Sequence, residues 1–461
     1  MIRSLFLITT AIVFYGCSIH PKPLESNLKL PKEFSTATDN VTNIPALWWE
    51  NFNSTVLNSL IKKAHDNSPD ILIAYENIEQ ARLQLGISEV SYLPTASLSA
   101  GTSGSRSDAS GRDASTSKST SASIRISYEI DLWGKIRANK EAALAKFDAT
   151  VYDKDALTLS MYATVAESYF SLLSYKERLA IAKNNLNISE QLMKIVEAKY
   201  KSGSVSLLDV SRQKSSLLSQ QANVKSLELQ EAQAKNALAT LTGNLPQEFE
   251  IDTDSLWDLS IPKVEAGLPS ELLLNRPDIA KAKANVAAAN AAVRSANADR
   301  FPSFSLSGNG GISSSALASF KDPTSVLSLA LNAAYTLFDS GRLNDLKDIE
   351  ISRTKSVIQN YNKVILTALQ ESDDALLSVA HQSSLANLQN EIVEESSRSL
   401  DIASLQYKYG SSDLTTLLDA QNKYFSSKDA QASQRLNHLK SLVSLYKVLG
   451  GGWSSDINRA L

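Results

Sequence analysis

Asn67-Ser68-Pro69-Asp70-Ile71 and Asn275-Arg276-Pro277-Asp278-Ile279 are one pattern written twice, 208 positions apart. Leu93-Pro94 recurs as Phe301-Pro302 at the same spacing, and three further pairs follow 207 apart. These are Tyr128 with Gly134 against Tyr335 with Gly341, Tyr200-Lys201-Ser202-Gly203 against Tyr407-Lys408-Tyr409-Gly410, and Leu241-Thr242-Gly243 against Val448-Leu449-Gly450. Chance similarity does not hold order and spacing across a whole chain, so each half is one structural unit.

Within each half the hydrophobic period changes in the same order. Residues 54–89 and 269–300 read as helices, the second rich in alanine (Ala282, Ala284, Ala287, Ala288, Ala291), whose small side chains let helices approach closely. Pro94 and Pro302 push the preceding residue towards extended geometry, which helps end those helices. Alternation follows. In 121–132, Ala122, Ile124, Ile126, Tyr128, Ile130 and Leu132 fall on one face, and Ser121, Ser123, Arg125, Ser127, Glu129 and Asp131 on the other, as in a two-faced strand. The second half repeats this with Leu327, Leu329, Leu331, Ala333, Tyr335 and Leu337. Shorter alternations at Ala96, Leu98, Ala100 and at Phe304, Leu306, Gly308 supply two more strands, and the polar stretch 105–118 reads as a solvent loop between the first two.

Beyond Gly134 and Gly341 the period turns helical again. Residues 135–200 carry Met161, Val165, Tyr169 and Leu172 on one stripe; turns at Gly203 and Gly410 lead into helices ending near 242 and 449. A helix of the first length extends about 100 Å, and helices so long are stable when packed side by side in coiled-coil fashion. Four strands cannot close a barrel, and open strand edges are not tolerated in lipid. If the strands span a membrane, the chain must oligomerise. Two copies give eight strands and an interior filled by side chains; three give twelve and room for a lumen.

Composition agrees with a mostly helical chain: 17 Gly and 12 Pro among 461 residues are too few for a many-turned all-β protein. With 46 Lys+Arg against 49 Asp+Glu there is no basic excess, and no basic stripe that would take a nucleic acid. Arg3 followed by the apolar stretch Leu5 to Tyr15 reads as an export signal, too short for a bilayer span. It ends at Gly16-Cys17, and Cys17 is the only cysteine. That placement resembles a bacterial lipobox, although Phe14 and Tyr15 depart from its usual residues; the alternative is a plain signal peptide with an incidental cysteine. After Cys17 no apolar run is long enough for a transmembrane helix.

Catalysis finds no support. His20, His65, His381 and His438 are scattered without metal-ligand spacing and read as solvated surface residues. Asp373-Asp374 are adjacent helix positions that point different ways. Neither a phosphate loop, a nucleophile elbow nor a Cys-His pair is present, and no cofactor or metal is expected.

Motifs in fixed order carry a resemblance that covers nearly the entire chain: LWWENF at 47–52, the two N-x-P-D-I repeats, SYLPTASLS at 91–99, YEIDLWGKIR at 128–137, AGLPSELLLNRPDIAKA at 266–282, FPSFSLSG at 301–308, LFDSGRL at 337–343, LLDAQ at 417–421 and LGGGW at 449–453. The chain resembles the TolC-like outer-membrane factors, within them the OprM-like, NodT-type lipoprotein branch that serves resistance-nodulation-division pumps. The resemblance implies a mainly α fold with a small β part: long coiled-coil helical hairpins, plus four strands per subunit in a trimeric twelve-stranded outer-membrane β-barrel. The hairpin tips around Gly203 and Gly410 would meet a periplasmic adaptor and the inner-membrane transporter, and would close the tunnel at rest. By the family pattern Tyr407 links to Asp209, a second latch position holds Ser412 in place of arginine, and Asp419 contributes one carboxylate per subunit to a constriction ring. Helix packing for Tyr407, and helix-start placement favoured by the macrodipole for Asp209 and Asp419, are the alternatives.

The expected organisation is a signal peptide at 1–16 and a lipid-anchored extended segment at 17–53 with the acyl group on Cys17. The first repeat follows at 54–243, a linker at 244–268, the second repeat at 269–450 and a tail at 451–461. The expected function is the outer-membrane channel of a tripartite efflux pump, a passive exit duct for drugs, toxic compounds or metal ions, lipid-anchored and barrel-inserted and extending into the periplasm. The rival functions are a type I protein secretion channel and a periplasmic coiled-coil scaffold.

Overall fold

The computed structural model describes residues 21–28, 45–108, 110–111, 113–262, 275–451 and 453; Cys17 and the segment before it lie outside these. Among the described residues the order is a 3-10 turn at Trp48–Phe52, α1 (Thr55–Asn67), α2 (Pro69–Val90), β1 (Thr95–Ser107), β2 (Ser115–Ile130), α3 (Lys135–Lys201), α4 (Leu207–Leu241), α5 (Pro277–Ala298), β3 (Ser303–Ser314), β4 (Thr324–Ala334), α6 (Arg342–Lys408) and α7 (Leu414–Val448). Two compact units divide the chain, one carrying Asn77–Val151 and Lys281–Asn362, the other Tyr152–Ala280 and residues from Lys363 on.

The first unit holds a four-stranded antiparallel sheet in the order β1-β2-β3-β4. Here the expected loop at 105–118 is half strand: β1 runs to Ser107 and β2 starts at Ser115. The ladder does not need apolar side chains, and hydroxyls add to it, with Ser99 Oγ 3.0 Å from Ser123 Oγ and Thr102 Oγ1 3.0 Å from Thr120 Oγ1. Both hairpins feed a long helix through the same device. Asp131 accepts from the amides of Ile136 and Arg137 at 3.0 and 2.9 Å, and Asp339 from those of Gly341 and Leu343 at 3.1 and 3.0 Å. These carboxylates satisfy donors that the first helical turn leaves open. The Trp133 indole stacks on Phe301 at 5.0 Å and donates to the Pro302 carbonyl at 2.6 Å, closing the strand ends against the preceding turn.

In place of the single helix expected over 54–89 there are two, because Pro69 excludes helical geometry at Ser68 (φ −64°, ψ 125°). Pro69 and Pro277 each take the first position of a new helix, where a missing N–H costs nothing. The N-x-P-D-I pattern is thus a helix start, and its asparagine receives the end of another helix. An added Cβ on Gly243, after α4, would lie 2.6 Å from the Asn67 carbonyl oxygen; one on Gly450, after α7, would lie 2.9 Å from that of Asn275. Arg276 secures the second seat alone. Its guanidinium donates to the Val448 carbonyl at 2.9 Å and pairs with Asp278 and Glu371, both at 2.8 Å. The core of the second unit gathers around Trp48, which stacks on Tyr446 at 5.3 Å, and Phe52, edge-on to Phe170 at 5.0 Å. The described part of the linker is tied in by Asp254, which accepts from Ser54 Oγ at 2.5 Å and from Tyr169 Oη at 2.8 Å.

Helices α3 and α6 have 67 residues each and α4 and α7 have 35 each. At Gly203 the chain leaves α3 with φ 76°, Ser204 N donating to Lys199 O at 2.8 Å and Gly203 N to Tyr200 O at 2.9 Å. Gly410 ends α6 with the same pair of bonds, the left-handed helix stop for which glycine is favoured. Gly203 has open space around it, whereas Gly243 (φ +70°) is held against Asn67. Gly203→Ala therefore costs only the left-handed backbone, about 1–2 kcal/mol, and Gly243→Ala adds an overpacking cost of about 1–3 kcal/mol. Thermal unfolding monitored by helical circular dichroism should rank the midpoints wild type, Gly203→Ala, Gly243→Ala, in falling order.

Candidate functional site: strand faces and hairpin tips

Register sorts the sheet into two chemistries. On one face lie Ala96, Leu98 and Ala100 of β1; Ile124, Ile126, Tyr128 and Ile130 of β2; Phe304, Leu306 and Ile312 of β3; and Leu327, Leu329 and Leu331 of β4. The opposite face is a field of hydroxyls and amides, among them Ser97, Ser123, Ser127, Ser305, Ser307, Asn309 and Asn332, with Arg125 and Glu129 as its charges. The apolar face is bare in the protomer: Leu98 is 76%, Leu329 78% and Leu327 90% exposed. An apolar sheet face of this extent demands an apolar medium or partner. β1 and β4 are edge strands, each with one side of its backbone unpaired in the sheet. Among the described residues no helix is long and apolar enough to cross a membrane.

The second cluster lies in the other unit, where α3, α4, α6 and α7 meet at the ends of their hairpins. Leu192, Val196, Ala403, Tyr407, Leu414 and Leu417 form one buried apolar cluster, with Val205 and Val210 packed against it. Asp209 is the third residue of α4 and completes a capping box: it accepts from the Ser206 amide at 2.9 Å and Ser206 Oγ at 2.7 Å, while Ser206 Oγ accepts from the Asp209 amide. Asp413 caps α7 by accepting from the Thr416 amide at 2.8 Å. Hydrogen bonds from Ser206 hold the Asp209 carboxyl below the usual range, and those from Thr416 do the same for Asp413. Both depressed groups are charged near neutrality, and their capping is lost only when acid takes the pH down through their lowered pKa values.

The expected Tyr407–Asp209 link is not formed within the protomer. The cap already occupies the Asp209 carboxylate, and Tyr407 Oη is buried without a hydrogen-bond partner. Tyr407 instead lies under Lys199, whose Nζ is 4.0 Å from the ring centroid. At the tips, the polar tie between the hairpins is one that sequence reasoning missed: Arg212 Nη1 of α4 donates to Thr415 Oγ1 of α7 at 2.9 Å. Ser206-x-x-Asp209 was legible as a capping box; nothing in the sequence pairs Arg212 with Thr415, 203 residues away. Asp419 is exposed and lines a groove of about 580 Å³ with Glu395, Arg398, Gln406, Thr416 and Lys423.

Two of the histidines depart from the solvated reading. His438 is buried, and burial together with Arg435 lowers its pKa; His65 Nδ1 sits 2.8 Å from Tyr162 Oη. Asp373 is half-buried and Asp374 exposed, so the two do not converge. Among the described residues no group of three His, Cys, Asp or Glu side chains could hold a metal ion.

The family model described as outer membrane efflux protein matches residues 60–244 and 268–451. The pyoverdine export outer membrane protein OpmQ of Pseudomonas aeruginosa is 33% identical over 466 residues, covering 98% of both chains. The cation efflux system protein CusC of Escherichia coli O6:H1 is 29% identical over 456 residues, covering 96% of this chain and 97% of its own. The solved outer-membrane channel OprN superposes with a TM-score of 0.86 at 26% identity, over 95% of this chain and 100% of that one. With the two-faced sheet, the long paired hairpins and the family pattern in both halves, the chain belongs to the outer membrane efflux protein family.

Proposed function

We propose that this chain is one subunit of a homotrimeric outer-membrane channel, the exit duct of a tripartite efflux pump. The observation that carries it is the sheet: an apolar face and a Ser-rich face, sorted by register, with open edges on β1 and β4. In lipid those edges must find partners, and other copies of the chain supply them, three copies giving a closed barrel of twelve strands around a hydroxyl-lined lumen. The duct is passive and no catalytic step is assigned to it. It works with a periplasmic adaptor and an inner-membrane resistance-nodulation-division transporter, which the hairpin tips around Gly203 and Gly410 contact. Cargo selection belongs to those partners, a view supported by relatives of one fold named for pyoverdine and for cations. Cys17 carries the lipid anchor in this reading, and Asp419 contributes to the periplasmic constriction.

The detergent-solubilised protein should have about three times the protomer mass and show a heat-modifiable sheet signal; a stable monomer lacking that signal rejects the channel. Cys17→Ser should lose fatty-acid labelling and remain trimeric, because the barrel buries far more apolar surface than one anchor.

For the aperture, three Asp419 carboxylates in a narrow pore focus cations. Asp419→Asn should lower cation preference in planar bilayers, most at low salt, where the screening length grows from about 10 Å at 0.1 M to about 30 Å at 0.01 M. Because Tyr407 Oη has no partner in the protomer, Tyr407→Phe should leave conductance unchanged, whereas Arg212→Ala, which removes the tie to Thr415, should raise it. The reverse ranking would restore the tyrosine as the latch.

A further inference from the structure

The apolar face of the sheet does not end in loops of arbitrary composition. Reading outward along its paired rungs, Ile130 with Phe304 is followed by Tyr128 with Leu306 and Leu331. The next rungs are Ala96 with Ile126 and Leu329, Leu98 with Ile124 and Leu327, and Ala100 with Ala122 and Ile312. The next rung is hydroxylic: Thr102, Thr120 and Ser314. The two after it, Gly104 with Lys118 and Arg106 with Thr116, place two exposed cations on the same face. From Ile130 to Ala122 the strand advances about 27 Å, at roughly 3.4 Å per residue, which at a tilt near 40° is about 20 Å of membrane depth. Lys118 and Arg106 therefore come after the apolar band, at headgroup level, and face the lipid.

The β3–β4 loop is fastened to the same spot. Thr120 Oγ1 donates to the Ala316 carbonyl at 2.7 Å, and the Ala318 amide donates to Thr102 Oγ1 at 3.1 Å. This brings half-exposed Leu317 to 3.8 Å from where a Cβ on Gly104 would stand, on the lipid-facing side. An apolar side chain pinned beside two cations, at the border of an apolar band, has the composition of a membrane-interface anchor. The acids nearest in sequence, Asp108 and Asp113, fall in the turn beyond the last rung and not on this face of the ladder.

We infer that Arg106 and Lys118, with Leu317 between the loop and the sheet, form a binding site for the anionic, phosphorylated headgroup of an outer-membrane lipid, one per subunit, at the β1–β2 turn end of the barrel. This rests on the barrel reading above. The cations pair with the headgroup phosphate while the acyl chains run down the Leu98–Ile124–Leu327 surface, so one molecule satisfies both chemistries.

The test is native mass spectrometry of the full-length trimer in detergent, titrated with phosphatidylglycerol and, in parallel, with phosphatidylcholine. Wild type should retain up to three phosphatidylglycerol molecules per trimer in preference to phosphatidylcholine. Arg106→Ala/Lys118→Ala should weaken phosphatidylglycerol retention on the order of tenfold, since each basic residue near an anionic surface contributes measurably. Arg106→Lys/Lys118→Arg should restore it. Arg125→Ala, which removes a cation from the opposite face of β2, should not alter it. Unchanged retention in the double alanine variant, or an equal loss in Arg125→Ala, overturns the site while leaving the channel intact. A wild-type protein that forms no heat-modifiable trimer overturns the barrel reading, and the site with it.

Discussion

Every non-proline residue of a strand carries a donor and an acceptor, and along the outer sides of β1 and β4 no strand of the same sheet answers them. In water such edges are a liability; in hydrocarbon each unmet group costs several kcal/mol. The protomer's sheet is therefore an incomplete object in the medium its Leu- and Ile-covered face requires. Since the four strands alternate in direction, β1 of one copy and β4 of the next run antiparallel, and the same junction can repeat until a ring closes. This contact is heterologous, and closure into a ring is what keeps it from growing without limit. Lumen, symmetry and oligomeric state all descend from that one unmet ladder.

The duplication has a physical reading beyond similarity. In each half an asparagine ends one helix or its approach, a proline begins the next, and an aspartate follows in the first turn, where the macrodipole favours it. The glycine that stops α4 rests on the first asparagine and the glycine that stops α7 rests on the second. The halves then diverge. Ser68 stands where Arg276 stands in the second half, and only the arginine reaches across to the orphan carbonyl of Val448 and to Glu371. An always-charged guanidinium, 8% exposed and held by two carboxylates, is a costly thing to leave unpaired. The second seat is accordingly the more tightly specified of the two.

At the hairpin tips, polar residues serve folding before they serve transport. Asp209 and Asp413 commit their lone pairs to helix amides, and what joins one hairpin to the other at this end is an apolar cluster, a lysine over a tyrosine ring and one arginine–threonine bond. The arginine–threonine bond is exposed, and exposed polar contacts are individually weak. Weak ties at the end of long, stiff helices suit a closure that has to open without unfolding its subunit.

The sequence by itself determined the duplication, the four strands with their two faces, the long hairpins and the glycine stops, because each is written in local period and local backbone preference: alternation at 122–132, a helical stripe through Met161, Val165 and Tyr169, and positive φ at Gly203 and Gly410. It also held helix-start placement for Asp209 as an alternative to the gate. Polar length misleads where hydroxyls pair as well as they solvate: Ser105, Arg106 and Ser107 pair with Ser117, Thr116 and Ser115 inside the stretch that reads as a solvent loop. Only the tertiary structure decided that Asn67 and Asn275 are seats for distant glycines, that His438 is buried, and that Arg212 meets Thr415 while Tyr407 Oη has no hydrogen-bond partner in the protomer. Each of these depends on residues brought together from far apart in the chain, and no period in a sequence records a contact across 203 residues.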